Sequence, residues 1–141
     1  MKAATMQAIA TNTTKPMKRI LIEAVAQSDM RSPYNQGESG GDWFFNHDGD
    51  LVIRVIGETL DDPEAFLFAF HELVEAKLCQ AHKVSQKRVD AFDLQAQSYL
   101  PADREPGDLA ECPYRKEHRA AMILEHLMAN FLGLVGYGEI R

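Results

Sequence analysis

The chain has 141 residues, of which 45% are hydrophobic, and a formal net charge of -6 at pH 7. This length gives room for one domain, and the hydrophobic fraction is too high for a disordered chain. The acidic balance argues against nucleic-acid binding, and the absence of an apolar run of about 18 residues argues against a membrane span. Two cysteines make no disulfide framework, and the N-terminus lacks an apolar signal region, so a cytoplasmic protein is expected.

The N-terminal third contains a tail, a strand and a long loop. Residues 1–16 are small and polar without apolar periodicity, which predicts a flexible tail and a single metal-binding domain over residues 17–141. The β-branched run at 20–25 predicts a buried strand. Residues 27–42 are rich in Gly, Ser, Asn and Pro and form a loop of the length that often binds ligands. Arg31 and Tyr34 are its candidate contacts to a substrate or partner.

A hairpin is predicted next. The apolar runs 43–45 and 51–56 flank the segment Asn46–His47–Asp48–Gly49–Asp50. Asp-Gly between two apolar runs is a strong hairpin signal. His47 and Asp48 are therefore interpreted as turn residues, and the three strands as a small antiparallel sheet.

Three helices follow the strands. Asp62 and Pro63 are a typical N-cap and first helical residue, which predicts a helix to about His82. A second helix is predicted from about 85 to 99, then a loop over 100–113, then a helix from about 114 to 132. The expected fold is α+β, with the three helices packed on one face of the sheet. Apolar periodicity predicts that the core-facing residues of the first and last helices are Phe66, Leu67, Phe70, Leu73, Val74 and Leu78, and Ala120, Ile123, Leu124, Leu127 and Phe131.

The first of these helices carries the chemistry. His71 and Glu75 are one turn apart and project side by side, so both can bind one ion. Glu72 points about 100° away, out of ligating range but within reach of a metal-bound water. Two ligands at i and i+4 with a general base between them is the arrangement of His-Glu-x-x-His metallohydrolases.

Other ionisable residues lie beside the predicted core. His118 and Glu125 are seven residues apart on a face whose neighbours are small or apolar, so His118 is expected to be enclosed. Asp93 flanks the apolar stripe of the second helix, where a buried carboxylate needs a partner or a metal. The predicted site therefore has Glu72 as the catalytic residue and His71, Glu75, His118 and Asp93 as metal ligands. The side chains expected to support these ligands are Glu125, Glu117, Cys79 and His82.

Several motifs resemble those of a group of small uncharacterised proteins encoded by bacteriophages and prophages. They are GDW at 41–43, HELVEA at 71–76, Phe92–Asp93, EPGD at 105–108, and PYRKEH at 113–118 followed by Ala121 and Glu125. The resemblance covers about residues 17–137. It implies a phage or mobile-element origin, metal binding, and a location in the cytoplasm of a bacterial host.

A short sheet followed by a helix with His71–Glu72 is also similar to the minimal core of zincin metallopeptidases. That resemblance implies that His71 is a zinc ligand and that Glu72 is the general base. Glu75 stands where the family has its second histidine, and this carboxylate also admits Mn or Fe.

The expected function is a divalent-metal-dependent hydrolase acting on a small molecule or a peptide, with zinc as the first choice of metal and Mn, Fe or Mg as alternatives. Two other functions stay open. The pairs Glu72/Glu75 and Asp90/Asp93 resemble the acidic pattern of MazG-type nucleotide pyrophosphohydrolases, which hold Mg²⁺ against phosphates. A non-enzymatic phage accessory or anti-defence protein could use the metal structurally and bind a host protein.

Overall fold

The structure is a computed structural model that describes residues 15–36, 40–101 and 103–137. Residues 1–14 of the predicted tail lie outside the described residues. The described chain forms three strands, β1 (Ile20–Val25), β2 (Gly41–Phe45) and β3 (Leu51–Ile56). It continues with three helices, α1 (Pro63–Ala81), α2 (Gln86–Ala96) and α3 (Arg115–Phe131). None of the described helices is long and apolar enough to cross a bilayer.

The sheet is mixed, which corrects the expected antiparallel arrangement. β3 is the central strand, with β2 antiparallel on one side and β1 parallel on the other. Four of the six residues of β3 are buried, and Leu51, Ile53 and Val55 belong to the core. β1 contains no fully buried residue, which corrects the buried strand expected at 20–25. Segment 26–40 carries the chain from one edge of the sheet to the other, and a connection of this length permits a parallel pair.

The predicted hairpin between β2 and β3 is confirmed. Its turn is closed by the Gly49 amide, which donates to the Asn46 carbonyl over 2.9 Å. The side-chain oxygen of Asn46 accepts from the amides of Asp48 and Asp50. Gly49 has a φ of +84°, a conformation that glycine adopts without strain. His47 and Asp48 are exposed turn residues, as the sequence predicts.

N-terminal capping residues explain where α1 and α2 begin. The Asp62 carboxylate accepts from the Glu64 amide, and Pro63 occupies the first helical position. The Ser85 hydroxyl accepts from the Arg88 amide at the start of α2. α2 ends at Ala96, three residues earlier than predicted, while α1 and α3 agree with the expected bounds within one residue.

The three helices do not all pack on one face of the sheet, which corrects the expected arrangement. They form successive layers instead. α1 packs on β2 and β3, and α3 packs mainly on α1. The core between them combines large strand residues with small helix residues, among them Trp43, Leu51, Ile53, Val55, Ala65, Ala69, Ala76 and Cys79.

The predicted core faces of α1 and α3 are largely wrong. Of the six apolar residues expected inward on α1, only Leu67 is buried, and Leu73 is half-buried against the core. On α3 the predicted stripe is largely exposed, and the buried residues are Glu117, His118, Ala121, Glu125 and Ala129. Small side chains let the two helices approach closely, and paired polar side chains fill the space between them. Periodicity identifies an apolar face but does not show which face packs inward when a polar cluster competes for it.

Candidate metal centre

Three metal-ligating atoms converge between α1 and α3. His71 Nε2 lies 3.3 Å from Glu75 Oε2, and His118 Nδ1 lies 3.0 Å from the same oxygen. Ligating atoms of the three residues all lie within 4.8 Å of one another. All three side chains are buried, with residue exposures of 2–5%. The helical i, i+4 spacing places His71 beside Glu75, and the close contact of α3 with α1 brings in His118.

Further side chains fix the orientation of His71 and Glu75. Glu125 Oε1 lies 2.8 Å from Nδ1 of His71, and the Tyr137 hydroxyl donates to the other oxygen of Glu125. The Trp43 indole donates to Glu75 Oε1 over 3.1 Å. A carboxylate on Nδ1 favours the proton on that nitrogen, which leaves the Nε2 lone pair directed at the cluster. This carboxylate–histidine arrangement is typical of metal ligands.

His118 sits against the EPGD turn. Gly107 packs flat on its imidazole, where an added Cβ would lie only 2.3–2.6 Å from ring atoms. Its buried Nε2 has no hydrogen-bond partner among the described residues, although Asp108 Oδ1 is 3.3 Å away. Asp108 also accepts from the Glu105 amide, which closes the turn. Asp108 is thus placed to face Nε2 when Nδ1 acts as a ligand, as Glu125 faces Nδ1 of His71.

The charges of the cluster are strongly coupled. Burial by itself raises the pKa of Glu75, but hydrogen bonds from His118 and His71 outweigh it and lower the pKa to about 2. Burial by itself lowers the pKa of His71, but hydrogen bonds to Glu125 and Glu75 raise it to about 11. The pKa of His118 is raised against burial by Glu75 in the same way. The carboxylates of the cluster thus favour positive charge at this point, whether the imidazoles or a bound cation carries it.

Glu72 lies at the edge of this cluster and is half-buried. Burial, and then the charge of Glu75, raise its pKa well above the usual value. Its Cγ occupies the space beside Gly41, where an added Cβ would approach to 2.8 Å. Gly41 of the GDW motif therefore leaves room for Glu72, and Trp43 of the same motif binds Glu75.

Asp93, predicted as a ligand, lies outside the converging group. Its two oxygens accept from the hydroxyls of Tyr34 and Tyr114. Burial raises its pKa to about 7, although the two tyrosine hydrogen bonds act in the opposite direction. The MazG-like pattern also requires Asp90 as a free metal ligand, but Asp90 accepts from Arg31 over 3.0 Å.

Three predicted supporting residues lie elsewhere than expected. His82 and Glu117 pair with each other, with His82 Nδ1 2.6 Å from a Glu117 oxygen, at the end of α1. Cys79 is fully buried in the hydrophobic core, and burial raises the pKa of its thiol. Of the four predicted supporting residues, Glu125 is therefore the one in contact with a converging ligand.

Arg31 and Tyr34, expected to contact a substrate or partner, are bound within the chain instead. Arg31 forms a two-pronged ion pair with Asp42, with both contacts at 2.8 Å, and a further pair with Asp90 at 3.0 Å. The preceding residue, Met30, is buried. This part of the loop is therefore fastened to β2 and α2, which corrects the expectation of a free binding loop.

Sequence reasoning assigned no role to Trp43, Asp108, Gly107 or Tyr137. The first three lie in the GDW and EPGD motifs, so the motifs themselves were the available signal. Tyr137 lies beyond the last helix, where no local pattern marks it.

The donor set fits a divalent metal, since two imidazole nitrogens and one carboxylate oxygen suit Zn, Mn or Fe. The glycine packed on His118 and the carboxylate behind His71 hold two of the donors in place. The chain matches no model of a protein family, no curated protein and no solved structure.

Proposed function

We propose that this chain is a divalent-metal-dependent hydrolase whose metal is held by His71, Glu75 and His118. The observation that carries the proposal is the convergence of Nε2, Oε2 and Nδ1 of these residues at one buried point, with Glu125 behind His71. Three protein ligands are typical of catalytic zinc sites, which keep one position for water or substrate. An ion bound there would acidify a water and polarise the bond to be cleaved.

Glu72 is the general base in this proposal. It follows His71 directly in the sequence and is half-buried. Burial and the neighbouring charge of Glu75 raise its pKa, and a raised pKa makes a carboxylate a stronger base toward a metal-bound water. Gly41 leaves the space in which this side chain can lie beside the ligands.

The nucleotide pyrophosphohydrolase alternative has less support. It needs carboxylates on two helices facing one magnesium ion, whereas Asp90 and Asp93 accept hydrogen bonds from Arg31, Tyr34 and Tyr114. A structural metal in a non-enzymatic protein shares the same three ligands, so activity separates that alternative from ours.

The test is the variant Glu72→Gln, with Glu64→Gln as the matched control because Glu64 is an exposed acid on the same helix. Parent and variants are loaded with Zn or Mn and assayed against peptide, ester and nucleotide substrate panels. We expect hydrolysis by the parent and the control, and a loss of about two orders of magnitude in Glu72→Gln with the metal retained. Metal loss in Glu72→Gln would contradict the assignment and make Glu72 a ligand.

A further inference from the structure

Helix α3 is packed with its polar face inward and its apolar face outward. Its inward face carries Glu117, His118 and Glu125 among small residues. The opposite side carries Ala120, Ile123, Leu124, Leu127 and Phe131, which we call the α3 stripe. At about 100° per residue these five positions fall within an arc of about 100°, so they form one continuous stripe.

The α3 stripe is open to solvent in the described chain. Ile123 is 67% exposed, Leu127 47% and Phe131 78%. Leu124 of the same stripe is 40% exposed. An exposed apolar stripe of this size is often a functional interaction surface.

We propose that the α3 stripe is the interface of a symmetric dimer, formed with a second copy of this chain. The stripe is self-complementary about Leu127, because Ile123 and Phe131 lie four residues before and after it. An antiparallel two-fold pairing of α3 then places Leu127 near the axis and Ile123 against the partner's Phe131. A two-fold interface requires this kind of self-matching surface.

The exposed area of the α3 stripe suits a small dimer interface. If a fully exposed large side chain offers roughly 200 Å², the exposed fractions of Ile123, Leu124, Leu127 and Phe131 together provide on the order of 450 Å². A standard interface buries about 800 Å² on each partner, and weaker complexes bury less.

The charges of α3 also suit an antiparallel pair. The two acids of α3, Glu117 and Glu125, are both buried, so no carboxylate of this helix repels a second copy across the stripe. The exposed cations Lys116 and Arg119 lie near the N-terminal end. In an antiparallel pair they approach the C-terminal end of the partner helix, where the helix dipole favours positive charge.

This proposal does not depend on the metal centre, since His118 lies on the opposite face of α3 and the other two ligands lie on α1. In a dimer, the partner would nevertheless pack on the outer face of α3, the helix that carries His118. The net charge of -6 opposes the other common use of an exposed amphipathic helix, adsorption to an anionic membrane.

The first test is sedimentation velocity of the full chain over a wide concentration range, with Leu127→Glu as the variant. The matched control is Leu94→Glu, since Leu94 is a 59% exposed leucine on α2, outside the stripe. We expect a dimer for the parent and for the control, and at least a thirtyfold weaker dimer, roughly the loss of one central interface residue, for Leu127→Glu. A parent that stays monomeric throughout, or equal effects of the two variants, would overturn the proposal.

A second test does not depend on weakening the interface. Leu127→Cys places a thiol near the proposed axis, whereas the native Cys79 and Cys112 are buried. Mild oxidation should crosslink Leu127→Cys to a covalent dimer at dilute concentration and leave Leu94→Cys uncrosslinked. Absence of that crosslink would overturn the proposal. A monomer that co-sediments with phosphatidylglycerol vesicles through the α3 stripe would also overturn it and would assign this face to a membrane.

Discussion

This protein contains two largely buried polar clusters. They differ in whether the chain itself supplies every partner that the carboxylates need. The metal cluster (His71, Glu75, His118 and Glu125) directs donor atoms of three residues at one point. The loop network (Arg31, Tyr34, Asp42, Asp90 and Asp93) matches its carboxylates with guanidinium and hydroxyl donors of the same chain. The two clusters are assembled from similar residue types.

The difference separates a structural cluster from a binding cluster. In the loop network the positive charge is Arg31, a covalent part of the chain, so the network needs nothing from outside. In the metal cluster, Glu75 and Glu125 raise the pKa values of the two histidines and so favour positive charge there, which a divalent ion can supply instead. We therefore expect changes in the loop network to alter stability, and changes in the metal cluster to alter metal affinity.

The largest expected effect is that of Arg31→Ala. This change leaves Asp42, a buried carboxylate, without its ion-pair partner, and breaking such a pair costs about 3–5 kcal/mol in the free energy of unfolding. The control is Arg54→Ala, whose pair with Glu23 is more exposed and should contribute about 1 kcal/mol or less. Urea unfolding measures both, and metal affinity should be unchanged below the melting temperature. Equal destabilisation by the two variants would show that the network is not structural.

Asp93 should make stability depend on pH. Its pKa in the folded chain is about 7, above its usual value of 3.8, so folding favours the protonated form. The contribution is complete below about pH 4 and is lost as pH rises through 7, by up to about 1.4 kcal/mol per pH unit. Asp93→Asn cannot ionise, so its stability relative to the parent should rise across that window. Parallel stability curves for parent and variant would contradict the assignment.

A smaller effect is expected for Glu125→Gln, which keeps the shape of the side chain and removes the charge behind His71. Loss of such a supporting carboxylate typically weakens metal binding by about 10–100-fold. Glu111→Gln, a change at an exposed acid outside the cluster, is the control. Calorimetric titration with zinc measures both. An unchanged zinc affinity in Glu125→Gln would show that Glu125 does not support the metal ligands.

The sequence predicts local features well because their causes are local. Asp62 and Ser85 begin helices through their own side chains, and Asp48–Gly49 marks the hairpin turn. The i, i+4 spacing identifies His71 and Glu75 as neighbours without tertiary information. His118 was also placed correctly on an enclosed face, because the residues around it on the helix are small.

The features that sequence reasoning missed depend on contacts between distant segments. The choice of β3 as central strand depends on whether β1 pairs with β3 or with β2. Asp93 and Asp108 are both acids in motifs, and only the fold shows that Asp93 meets two tyrosines while Asp108 meets His118. The outward α3 stripe follows from the polar pairs on its other face, a competition that apolar periodicity does not include.

The most direct test of the account is the metal content of the purified chain after loading with zinc and removal of excess ion. Elemental analysis of the parent should give one divalent ion per chain. His71→Ala should give none, while its circular dichroism stays that of the parent, and Arg31→Ala should keep its ion. A parent that retains no ion, or a His71→Ala variant with the same metal content as the parent, would contradict the assignment of His71, Glu75 and His118 as a metal centre.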